Sequence, residues 1–187
     1  MGWLWMHKPK GLKVADFLIN YSGALRWTDS PYEYKVLDYS IVRLKTFYAA
    51  IEQVHKETGE RRVWAAVFLL GFCPRAEHNF GYKDMDESCG PCEAECPERI
   101  LDLLTPTEYE YAIDWRARCR AYHERRRARP KIKVGDTLVY GGREYRVDSR
   151  AGRAWLIYGA DGCRYRMTDA RARRAEVRPL KETNHAV

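Results

Sequence analysis

No stretch of the 187 residues approaches the ~18 consecutive apolar side chains that a membrane-spanning helix needs. The opening MGWLWMHKPKG returns to charge after a few apolar positions, so it does not read as a secretory signal. Met6 stands where N-myristoylation after Met1-Gly2 requires Ser or Thr. These absences lead to the expectation of a cytoplasmic chain. In a reducing compartment its six cysteines are expected to be thiols or metal ligands rather than disulfides. No P-loop, no Gly-x-Ser-x-Gly elbow and no Ser-His-Asp order is visible. The reading therefore leans away from an enzyme.

What is present is enough apolar material for a core. Hydrophobic residues make up 45%, with 13 Tyr and 6 Trp. Charge is unevenly placed. Residues 1–115 carry 13 Lys/Arg against 18 Asp/Glu, and residues 116–187 carry 20 against 8. An acidic half joined to a strongly basic half points to a polyanion or an acidic protein surface as partner. The plainer account is solubility and attraction between the halves.

Periodicity predicts an α+β chain. Met1–His7 reads as a short strand and Val14–Leu25 as a helix with apolar residues at i, i+3, i+4 and i+7. Tyr34–Arg43, Thr46–Val54 and Val63–Phe72 read as strands, the last apolar enough to be buried on both faces. The stretch 79–96, dense in acid and cysteine, reads as loop. A short helix is expected at Pro97–Leu104. Thr105-Pro106-Thr107-Glu108 reads as the start of a long basic helix reaching Arg127, with Ala112, Trp115, Cys119 and Tyr122 on its packing face. Beyond Pro130, five short strands at ~10-residue spacing, punctuated by Gly-Gly and Asp-Gly turns, suggest a small SH3-like β-barrel. The expected organisation is an α+β domain with an antiparallel sheet over 1–104, a linking helix over 105–129, a barrel over 131–180 and a frayed tail over 181–187.

Three groups of residues could carry chemistry or binding. Cys89-x2-Cys92-x3-Cys96 has spacing suited to a zinc knuckle, with Cys119, His78, Cys73 or His123 as fourth ligand and Cys119 preferred. Three small thiols in a turn-rich loop is the plainer account. Asp86 stands where a ferredoxin-type run would have its first cysteine, so an iron–sulfur cluster lacks a ligand. Cys96 or Cys119 with His78 or His123 would make a thiol nucleophile if the fold brought them together. Asp84, Asp86 and Glu87 are a candidate metal-binding or acid–base loop, weighed against a solvated loop or a cap for the basic half. The third group is basic: Arg116, Arg118, Arg120, Arg125, Arg126, Arg127 and Arg129 on the helix, then Arg146, Arg164 and Arg166 in the barrel. Guanidinium forks suit phosphates, and arginines interleaved with Tyr145, Trp155, Tyr158 and Tyr165 suit single strands. The plainer account makes those aromatics core and the arginines a solvated rim.

Met1-Gly2-Trp3 with His7, Phe47–Glu52, Asn79–Glu87 with Gly90-Pro91, Cys96-Pro97 with Ile100–Thr107, Trp115-Arg116 with Cys119, and Lys133 with Gly135-Asp136 form a set of motifs. Together they resemble an uncharacterised family of small proteins from high-GC Gram-positive bacteria, their phages and mobile elements. The resemblance implies the layout above and a phage or mobile-element setting, and no established activity. The functional expectation is a non-catalytic protein that contacts nucleic acid or a nucleoprotein through its Arg-rich C-terminal half. The alternatives are a zinc-supported, anti-CRISPR-like inhibitor of a host defence nuclease acting by protein–protein binding, and an enzyme built on Asp84, Asp86 and Glu87.

Overall fold

The computed structural model describes residues 2–25, 30–129 and 131–180. The tail over 181–187 lies outside the described residues, as do Met1, part of the loop before Tyr34, and Pro130. The chain divides into two compact units, Met1–Arg126 and Arg127–Val187. The secondary structure is mixed α+β and mostly strand, in two antiparallel five-stranded sheets.

The first sheet runs in the order β1 (Leu4–Met6), β5 (Phe80–Asp86), β4 (Arg61–Phe72), β3 (Thr46–His55), β2 (Tyr32–Val42). As its sequence suggests, β4 is buried on both faces: Ala66, Phe68 and Leu70 pack on one side, Val63, Ala65 and Val67 on the other. Helical segments cover both faces. On one side lies α1 (Val14–Asp16), continued by a π-helical turn over Phe17–Tyr21 that closes with Ser22 N–H donating to Phe17 O at 2.8 Å. It contributes Ala15, Phe17 and Leu18 to the core. On the other side lie α2 (Glu98–Leu101) and α3 (Glu110–Arg127), which contribute Ile100, Leu101, Trp115 and Cys119. The basic helix expected to link two domains thus packs its first half onto the first sheet.

Two local readings are corrected. The acidic stretch expected to be loop begins as β5, paired with β4 from Phe72↔Phe80 to Ala66↔Asp86. The long helix begins at Glu110, not at Thr105. Beyond the end of the β4–β5 ladder, Thr105 bonds to Val63 instead. Its N–H donates to Val63 O at 3.0 Å, and its Oγ1 accepts from Val63 N–H at 3.2 Å. Unmet strand groups outcompete the local capping signal, since buried backbone polar groups must find partners.

Gly81 leaves room for a neighbouring ring: a Cβ there would sit 2.7 Å from the indole of Trp5, its register partner on the edge strand β1, so any side chain would have to displace that ring.

The second sheet runs in the order β10 (Glu176–Arg178), β6 (Thr137–Tyr140), β7 (Arg143–Ala151), β8 (Ala154–Gly159), β9 (Arg164–Thr168). The β6–β7 hairpin turns on Gly141 and Gly142, both at positive φ (59° and 74°), as a two-residue hairpin loop demands. Leu138, Val147, Ile157, Met167 and Ala172 form its core. The strands fall where the spacing placed them, but no pairing closes a barrel among the described residues. The short helix α4 (Asp169–Ala172) separates β9 from β10, and its Ala172 fills that end of the core. No described helix is long and apolar enough to cross a membrane.

Candidate functional site

The cysteine-rich stretch meets α3 at a buried junction. Trp115 is fully buried beside Tyr48, ring centroids 6.4 Å apart, and its Nε1–H donates to Glu93 O at 2.9 Å. Glu87, next to β5, is also buried and receives a two-pronged bond from Arg116: Nε to Oε2 and Nη2 to Oε1, both 2.6 Å. Arg116 Nη1 donates to Thr105 O at 2.7 Å. Arg118 donates to Pro91 O at 3.0 Å, holding the Gly90-Pro91 turn against the helix.

Cys96 and Cys119 come together in this core, and both are fully buried. Burial pushes the Cys96 thiol well above its ordinary range, with Cys119 adding to the effect. Burial raises Cys119 to about 11. Because that exceeds the ordinary 9.0, the stability tied to its proton is complete below pH 9 and is lost as pH rises through about 11. Neither thiol is poised as a nucleophile near neutrality. His123 lies close by, but its Nε2 is 2.7 Å from the Cys96 carbonyl oxygen. Cys89 and Cys92 are exposed, as are Cys73 and Cys163. No group of three or more His, Cys, Asp or Glu among the described residues is placed to hold a metal. Cys89, Cys92, Cys96 and Cys119 are therefore split into two exposed thiols and a buried pair. A chromogenic thiol reagent should react at once with four of the six cysteines, the buried pair following only on unfolding. A zinc ion held by those four would instead leave two reactive thiols until a chelator was added.

The acidic residues also separate. Asp84 and Asp86 share one face of β5 and line an open cleft of about 440 Å³ with Tyr34, Gln53, Arg62 and Trp64. Asp86 Oδ1 accepts from Ser88 N–H at 2.7 Å and from the Ser88 hydroxyl. Glu87, although it borders the cleft, spends both carboxylate oxygens on Arg116. The three carboxylates do not converge on one point.

Several helix arginines are engaged within the first unit. Besides Arg116, Arg118 pairs with Asp114 at 2.8 Å and Arg120 with Asp102 at 3.1 Å. Arg125, Arg126, Arg127 and Arg129 are exposed at the helix end, Arg126 lying over the Tyr122 ring at 6.0 Å. In the second unit Arg146, Arg164 and Arg166 are exposed, with Arg164 bonded to Asp148 at 3.0 Å. The sequence reading missed Arg171, Arg173 and Arg174, exposed on and just after α4. The run Arg171-Ala-Arg-Arg was the available signal.

Residues 106–170 match a domain of unknown function, DUF6927. No curated protein and no solved structure matches the chain. The DUF6927 match agrees with the resemblance to a family without an established activity. It takes in α3 and β6 to β9, hence Arg116, Trp115, Cys119 and the arginines of β7 and β9. Cys89, Cys92, Cys96, Asp84, Asp86 and Glu87 lie outside the DUF6927 segment, although Glu87 and Cys96 pack against residues within it.

Proposed function

We propose that the chain is a non-catalytic binding protein of a phage or mobile element, whose Arg-rich second unit contacts nucleic acid or a nucleoprotein. Charge partition is the observation that carries this reading. Residues 1–126 hold 18 Lys/Arg against 19 Asp/Glu, whereas residues 127–187 hold 15 against 7. The structural division thus isolates nearly all the net positive charge in the second unit. The strand order β10-β6-β7-β8-β9, with a short helix before the last strand, supports an SH3-like reading of that unit. The separated carboxylates favour binding over catalysis.

Binding of a labelled oligonucleotide to the full chain, measured by anisotropy across a salt series, tests the proposal. Affinity should fall linearly on a log–log plot of binding constant against salt. Each of Arg146, Arg166, Arg171 and Arg173 that contacts a phosphate should lower the slope by about one when changed to Gln. No binding at low salt would overturn the reading. The exposed, stacked pair Trp3 and Trp5, centroids 5.9 Å apart, favours a second reading, a protein-binding inhibitor of a host nuclease. That reading predicts loss of biological effect in Trp3→Ala/Trp5→Ala without any oligonucleotide binding by the parent.

A further inference from the structure

The strand register places a tyrosine between two arginines on one face of the second sheet. Arg146 on β7 stands opposite Tyr158 on β8, and Tyr158 opposite Arg164 on β9. Directly opposed residues on neighbouring strands lie side by side, Cβ atoms ~4.5–5.5 Å apart. Tyr158 is 40% exposed. It borders a depression of about 250 Å³ whose other walls include Val134, Gly135, Arg146 and Asp148. Arg164 offsets the charge of Asp148. Arg166 lies one row further along the same face, opposite Leu156.

The other aromatics of this unit are committed, Tyr140 by packing against its core. Arg150 already covers Trp155 at 4.4 Å and is fixed by two bonds to Asp169, at 2.6 and 2.7 Å. Tyr145 and Tyr165 pack edge to face, and the Tyr165 hydroxyl donates to Asp161. Among the described residues Tyr158 makes no such ring contact.

A partly exposed ring beside a depression, flanked by cations, fits a ligand unit with a flat apolar face and an attached anion. A nucleotide has both. A base inside a duplex is stacked on its two faces and has none to offer, whereas an unpaired base can stack on a side chain. Resting on the nucleic-acid reading above, we propose that this face of the second sheet binds single-stranded nucleic acid. One base packs on Tyr158 in the depression, and neighbouring phosphates engage Arg146 and Arg166.

The test compares a labelled oligodeoxythymidine with a duplex of the same length, bound to the full chain at low salt. Tyr158→Ala should weaken single-strand binding roughly ten-fold, as loss of one stacked base does. It should leave duplex binding and the salt slope unchanged. Tyr158→Phe keeps the ring and should bind the single strand like the parent. Duplex bound as tightly as single strand, or equal loss on both in Tyr158→Ala, overturns the inference while the broader nucleic-acid reading stands. Binding of neither by the parent chain overturns both.

Discussion

Arg116→Met is expected to lower the unfolding free energy of the first unit by about 3–5 kcal/mol. The parent pairs a carboxylate with a guanidinium through two parallel bonds, and the Glu87 side chain is only 1% exposed. Removing the arginine leaves that carboxylate in the core without its counter-charge. It also strips the Thr105 carbonyl of its donor. The cost comes from the stranded partner more than from the lost attraction, because desolvating an unpaired charge exceeds what an intact pair contributes. The double variant Glu87→Gln/Arg116→Met should therefore regain a large part of the loss. Urea unfolding followed by tryptophan fluorescence reads the first unit, which holds five of the six tryptophans. A loss within about 1 kcal/mol in the single variant, the range of an exposed ion pair, would refute the assignment. Equal instability of the single and double variants would point to lost packing instead.

This pair also shows what sequence order conceals. Asp114–Arg118 is an i,i+4 contact that helix periodicity makes legible. Glu87–Arg116 and Asp102–Arg120 span 29 and 18 residues, so only the fold reveals them. Composition therefore exposed the basic helix but not which of its arginines were already committed. Arg116, Arg118 and Arg120 looked like binding residues and are bonded to their own chain, with Arg116 and Arg118 also fastening the junction. The exposed candidates lie further along, at the end of α3 and on the second sheet.

The strands were legible from alternation in β2, from aromatic and branched residues in β3, and from a nearly unbroken apolar run in β4. β5 was not, because its last positions carry Asp84, Met85 and Asp86. Phe80 and Tyr82 occupy the same face of β5 as the two aspartates but are buried under α1 and its π-helical turn, while the aspartates line the open cleft. One strand thus changes from apolar to acidic along a single face, and the acidic end resembled a loop. The cysteine spacing was legible as well, but spacing carries no information on side-chain direction. Cys96 turns into the core and Cys92 to solvent, four residues apart.

Trp115→Ala is the second large effect expected, again about 3–5 kcal/mol. Trp115 is the largest fully buried side chain of the described residues. It fills the space between α3 and the sheet beside Tyr48, and its indole N–H satisfies the Glu93 carbonyl. Truncation opens a cavity and orphans that carbonyl together. Trp115→Phe separates the two contributions, since it keeps most of the ring and deletes the donor. Its expected cost is about 1–3 kcal/mol, the range for a buried acceptor left unpaired. The thiols supply an independent measurement. Cys96 and Cys119 are held in the same cluster as Trp115, so loosening it should raise the number of promptly reactive cysteines above four under native conditions. An alanine variant that kept both its stability and four reactive thiols would mean that α3 docks without its tryptophan. If both change together, the residue anchors the cysteine-rich stretch to the helix, and the thiol pair reports that docking rather than a chemistry of its own.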